Sequence, residues 1–225
     1  MTQKKSLTVL SILTVILAFS MGCSDDDSLN TDATIRLVAT TTSTTTATKK
    51  MPVNDLQFTS GSITFREIIF DGENGTNSVS RTKEQIANID YATGTVSPEV
   101  LITIPSGTYT AVNLGIELQD ENDKPTVVIE GTFTNSSEEM LPIRFEFNSG
   151  EVFEANAASV EIPEGVDLVG KINFDALNWF STISATELDN ANLTDGVIII
   201  SETNNASIFD KVADRLDVDT QAVFE

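Results

Sequence analysis

One cysteine, Cys23, stands in a chain of 225 residues that contains no histidine. Without histidine no Ser-His-Asp or Cys-His unit can be assembled, nor any histidine-containing zinc or iron site. A single cysteine closes no intrachain disulfide. The remaining chemistry is acidic: 34 Asp and Glu against 13 Lys and Arg, a formal charge of −21. Carboxylate pairs perform acid–base work only at a defined separation. Among so many carboxylates close pairs also arise by chance, so no catalytic residue is assigned. Two acidic turns carry oxygen ligands of the kind calcium prefers: DGEN at 71–74 and DEND at 120–123. Neither follows the EF-hand pattern, because Gly72 follows Asp71 and Lys124 occupies an expected ligand position. Both are read as polar turns, with no metal and no cofactor. Trp179 and Phe180 form a sugar-stacking platform if exposed. Their helical spacing with Leu177 and Ile183 reads instead as core. The acid excess opposes nucleic acid, which needs a positive footprint.

The surroundings of Cys23 assign its thiol to attachment. Lys4 and Lys5 precede an uncharged run, LTVLSILTVILAF, at 7–19. Thirteen residues are too short to span a bilayer comfortably, but the order positive, apolar, small matches a secretory signal. Ser20, Met21 and Gly22 then lead into the cysteine. This segment resembles the lipobox of bacterial lipoproteins, with Ser20 where leucine is usual. The resemblance implies that residues 1–22 are removed and that Cys23 carries the lipid. Two or more acyl chains, at about 0.8 kcal/mol per buried methylene, anchor stably. The alternatives are a plain signal with an incidental cysteine and an uncleaved anchor.

Ser24, Asp25, Asp26 and Asp27 resemble the serine-plus-acidic export signal of Bacteroidetes-type lipoproteins, which implies the outer face of the outer membrane. A hydrated acidic spacer is the alternative. Asp27-Ser28-Leu29 also resembles the short O-glycosylation site of these bacteria. The Asn-x-Ser/Thr sequences at Asn74, Asn135, Asn192 and Asn205 read as coincidence in a chain rich in those residues.

Residues 23–32 read as an acidic disordered tether and 33–225 as a single β-sandwich domain with a Thr-rich loop at 40–50. The body alternates apolar and polar residues with period two. Ile35 and Leu37 mark a first strand. In GSITFREIIF at 61–70, Ile63, Phe65 and Ile69 share a face that Glu67 interrupts, so a bulge or two-sided burial is expected. Val100, Ile102 and Ile104 precede a turn at Pro105 and Gly107. Val112, Leu114, Ile116 and Leu118 form a face, as do Val127, Ile129 and Phe133. Ile143, Phe145 and Phe147 alternate with Arg144, Glu146 and Asn148. Leu168, Ile172 and Phe174 follow, and GVIIIS at 196–201 reads as a central strand covered on both faces. Turn signals separate these runs, Asp71-Gly72 and Asn74-Gly75 among them. Asp175 is placed to cap a short helix, and Ile208, Val212 and Leu216 mark a second. The fold class is therefore an antiparallel two-sheet β-sandwich with one or two short helices near the C-terminus.

Pro105, Gly107 and Tyr109, leading into the alternating strand at 110–118, resemble the turn of prealbumin-like (immunoglobulin-like) sandwich modules in secreted bacterial proteins. With GSITFREIIFDG upstream, the chain resembles an uncharacterised domain family of bacterial lipoproteins. That resemblance implies fold and location and transfers no catalytic residue. The functional expectation is a surface-exposed lipoprotein held in the outer membrane through Cys23. It acts as a non-enzymatic binding or accessory module for an extracellular glycan, peptide or protein. A pilus-like or adhesin subunit assembled by strand exchange is the alternative, and a hydrolase the remote one.

Overall fold

The computed structural model describes residues 32–42, 55–121, 124–216 and 222–224. The first strands are β1 (Asp32–Thr41), β2 (Leu56–Asn74), β3 (Asn77–Asp90), β4 (Val96–Ser97), β5 (Leu101–Pro105) and β6 (Gly107–Leu118). They are followed by β7 (Val127–Thr134), β8 (Met140–Phe147), β9 (Val152–Ile162) and β10 (Leu168–Phe174). The C-terminal part contains α1 (Ala176–Trp179), α2 (Ala185–Asp189), β11 (Leu193–Thr194), β12 (Val197–Ile200), α3 (Ala206–Ala213) and β13 (Ala222–Phe224).

Two sheets form. One has the order β13-β10-β1-β5; the other runs β11-β12-β8-β7-β2-β3-β4, with β6 on β2 and β9 on β6. Among the described residues the fold is thus mainly β and two-layered, as the alternation requires, with three short helices where one or two were expected. The pairing is not antiparallel throughout, however: β1–β10 and β12–β8 are parallel. Parallel neighbours need long crossovers. The chain supplies them, since β9, β10, α1 and α2 intervene between β8 and β12.

The organising element is β2. Its 19 residues span about 60 Å at the usual strand rise. β3 lies along one edge from Ser62 to Asn74. The other edge is shared: β7 occupies Leu56 to Ile63, and β6 occupies Phe65 to Glu73. The exchange falls at Thr64, whose N–H donates to Thr126 O and whose carbonyl accepts from Gln119 N–H. The expected bulge lies here, between Phe65 and Glu67. It switches the parity of the strand, so Ile63 and Phe65 are followed into the core by Ile68 and Phe70. Ile69, assigned to the first face by simple alternation, lies half-exposed on the other.

The molecule therefore has two halves. In the sandwich half the sheet β9-β6-β2-β3 faces β13-β10-β1-β5, with Ile35, Leu37, Ile102, Ile104, Leu114 and Ile172 between them. Tyr109 closes this core: its ring packs edge-on to Phe70, and its hydroxyl donates to Pro105 O at 2.8 Å. In the other half, here called the wing, β7, β8 and β12 extend β2 beyond the second sheet. Helices cover the inner face there. Asp175 caps α1 by accepting from Asn178 N–H, and Phe145 contacts Phe147, Phe180 and Phe209. Ile208, Phe209 and Val212 of α3 are buried, as the i, i+4 spacing required.

Asp71-Gly72 is not a turn but lies inside β2, beside a second register shift between Asp71 and Glu73. The reversal falls instead at Gly75-Thr76, between the paired Asn74 and Asn77. β12 is not central either. Among the described residues only the two-residue β11 lies beyond it, and Val197 and Ile199 remain half-exposed.

Candidate functional site

The lipidation residue Cys23, the export residues Ser24, Asp25, Asp26 and Asp27, and the leader at 1–22 lie outside the described residues. So do residues 43–50 of the Thr-rich loop; Thr40 and Thr41 end β1. Of the two acidic turns, DGEN belongs to β2. In DEND, positions 122 and 123 are outside the described residues, and Asp120 pairs with Arg66 at 3.6 Å. Among the described residues no group of three or more acidic or cysteine side chains is arranged to hold a metal ion. Trp179 and Phe180 are buried, with Trp179 stacked on Phe153 and Phe180 against Phe58. They are core.

Two surface depressions carry charged side chains on rigid strands. The first, about 520 Å³, sits at the β2 bulge on the outer face of the sheet. The bulge brings Glu67 opposite Glu84 of β3 and Glu117 of β6. Loss of hydration, then the charges of Glu117 and Glu84, hold the Glu67 carboxyl above its ordinary pKa. Arg66, the extra residue on β2 relative to β6, turns its guanidinium onto Glu117. The arrangement relieves part of the repulsion between carboxylates placed side by side.

The second is a groove of about 590 Å³ on the outer face of the wing. Register sets its layout. Gln57, Thr132 and Pro142 form one row across β2, β7 and β8. Glu130, Arg144 and Ile199 form the next, across β7, β8 and β12. Pro142, Val197 and Ile199 supply apolar surface. Arg144 donates to Glu130 at 3.1 Å and to Glu146 at 2.5 Å. One wall is the β11–β12 hairpin, whose Asp195-Gly196 turn has φ of 52° and 83°. Two positive-φ residues match the twist of a two-residue hairpin, which is why Asp-Gly serves there. Asn205 fixes this wall. Its own backbone is left-handed, and its amide donates to Ile199 O at 2.7 Å and Asn192 O at 3.0 Å while accepting from Asn192 N–H at 2.8 Å.

Four buried side-chain oxygens find no partner among the described residues: Gln57 Oε1, Thr132 Oγ1, Thr134 Oγ1 and Asn148 Oδ1. All belong to β2, β7 or the residue directly after β8, on the face opposite the aromatic core. Gln57 and Thr132 are direct cross-strand partners, and the Gln57 amide nitrogen is already given to Asp55 at 2.7 Å. Most buried polar atoms are satisfied in folded proteins, so a cluster of exceptions on one face distinguishes it.

Sequence reasoning treated Arg144 and Glu146 only as the outward alternation of a clean strand. It gave Asp195-Gly196 no weight, although that dipeptide is a strong hairpin signal. No family model, curated protein or solved structure matches this chain.

Proposed function

We propose that the protein is a lipid-anchored, surface-exposed lipoprotein of the outer membrane, whose domain binds a protein or peptide partner. The observation that carries this reading is the place of the only cysteine, between the apolar run at 7–19 and the acidic run at 25–27. Eight residues separate Cys23 from Asp32, a reach of at most about 30 Å. Asp32 lies at the end of the sandwich half that also holds Pro105 and the β2–β3 hairpin. It pairs with Pro105, and a side chain at Gly107 would strike Asn74. On this reading that pole faces the lipid, and the wing, at the far end of β2, is presented outward. A protein or peptide is favoured over a glycan because sugar platforms need exposed rings. The Tyr and Trp rings and all described Phe rings but the half-exposed Phe224 are buried.

Edge-to-edge assembly is disfavoured by β3. Beyond β4 its outer edge, residues 77–87, pairs with no described strand. Lys83 and Arg81 stand there opposite Ile68 and Phe70, on the core side of the sheet. Inward-pointing charge on an edge strand opposes pairing with another chain.

The test is Cys23→Ala in the producing cell. The reading expects the protein to leave the membrane fraction and appear in soluble fractions; retention in the membrane would refute the anchor. Replacing Asp25, Asp26 and Asp27 with Ala should reduce protease accessibility on intact cells without altering lipidation.

A further inference from the structure

We infer that the outer face of the wing is a docking surface for an extended segment that alternates cationic and aliphatic side chains. This rests on the binding-module reading above and names its partner class.

Three observations converge on that face. The first is shape: Pro142, Val197 and Ile199 form an apolar floor without an aromatic ring, suited to aliphatic side chains rather than sugars. The second is charge: Glu130, Glu146 and Asp195 stand around the groove with Arg144 as its only cation among the described lining residues. Arg144 already divides its guanidinium between Glu130 and Glu146. An incoming ammonium or guanidinium completes the neutralisation; an incoming carboxylate meets like charge. The third is layout. Pro142, Arg144 and Glu146 follow one another along the outer face of β8, and Ile199 of β12 stands beside Arg144 in register, so apolar and charged positions interleave at strand spacing. An extended segment presents its own side chains at that spacing.

The experiment uses the full-length Cys23→Ala protein in solution, so that lipid attachment plays no part. The probes are three fluorescein-labelled eight-residue peptides: alternating Leu-Lys, alternating Leu-Glu and alternating Ser-Lys. Leu-Lys binding is expected, with Ser-Lys and Leu-Glu each weaker by about tenfold or more. The double variant Glu146→Lys/Asp195→Lys should weaken Leu-Lys by a similar factor. The pair Glu73→Lys/Asp167→Lys, at the opposite pole, should leave it unchanged. Equal loss from the two Lys pairs would reduce the effect to net charge and overturn the proposal. Equal binding of Leu-Glu would also overturn it. Failure here with release of Cys23→Ala from membranes would leave the anchor standing and remove only the docking surface.

Discussion

The sandwich half and the wing share one strand, yet they bury it differently. Over Phe65 to Asn74, β2 is covered by a second sheet, and Ile, Leu and Val fill the interior together with Phe65, Phe70, Tyr109, Phe153 and Phe174. Facing sheets lie about 10 Å apart, a gap that branched aliphatic side chains from both sides fill. Over Leu56 to Ile63 the cover is helical, and Phe58, Phe145, Phe147, Phe180 and Phe209 form one connected ring cluster among the aliphatic residues. Short helices cannot present a continuous apolar face to a sheet. Large rings bridge the irregular gaps and contact one another at centroid distances of 4.9–6.0 Å within the Phe58–Phe180, Phe145–Phe180 and Phe145–Phe209 pairs. The outer surfaces also differ. The unpaired buried oxygens all sit on the wing, so the half with the more specialised core also carries the less satisfied face.

The sharpest way to break this comparison is to empty the wing core. Phe145→Ala should cost about 3–5 kcal/mol and raise hydrogen exchange in β7, β8 and β12 more than in β1, β5 and β6. Equal deprotection of both halves in exchange experiments would show that they open as one unit. Gly131→Ala attacks the junction instead. A methyl there would meet Gln57 O at 1.8 Å, so the β2–β7 pairing must shift. A loss of about 1–3 kcal/mol by urea denaturation is expected, with the wing again the more affected. In the sandwich half, Tyr109→Phe removes only the hydroxyl bond to Pro105 O. It should cost about 0.5–1.5 kcal/mol and leave wing exchange unchanged.

Two smaller effects depend on pH. Glu67 has a raised pKa in the folded protein, so its ionisation opposes folding. Stability from this group rises as pH falls through the folded value toward the ordinary carboxylate value. Glu67→Gln should therefore stabilise slightly at pH 7, and the gain should vanish near pH 4 in paired denaturation curves. Glu187 is the opposite case. The Lys211 ammonium, then the Ser184 backbone and hydroxyl, lower it to about 2. Its contribution is present above the ordinary carboxylate range and is lost as pH falls toward 2. Lys211→Ala should flatten that acid dependence, and because the pair lies at the surface the effect should shrink with salt.

The regular parts of the fold were legible wherever one face of a strand is buried and the other wet. β5, β6, β8 and α3 emerge from period two or i, i+4 spacing because the interior sorts those residues. β3 and β9 escaped for the converse reason. β3 is exposed over most of its length, and only Ala87 and Ile89 are buried. In β9 the run ANAAS carries small and polar residues, so the alternation is faint. The candidate site was harder to find. Thr132, Arg144 and Ile199 are distant in sequence and meet only through register, and nothing local to Gln57 signals that its oxygen lacks a partner.

The sequence by itself determined the β class, the capping of one helical segment by Asp175, the spacing of another and the single thiol at an apolar–acidic junction. Each depends on neighbours a few residues away, through alternation, capping or composition. Only the tertiary structure decided that β2 serves two cores in succession and that a bulge at Phe65–Glu67 turns Ile68 and Phe70 inward. It alone joined Arg144, Asp195 and Ile199 on one outward face. Those features depend on which strands become neighbours, and that choice is made by burial of the whole apolar surface at once rather than by any segment alone.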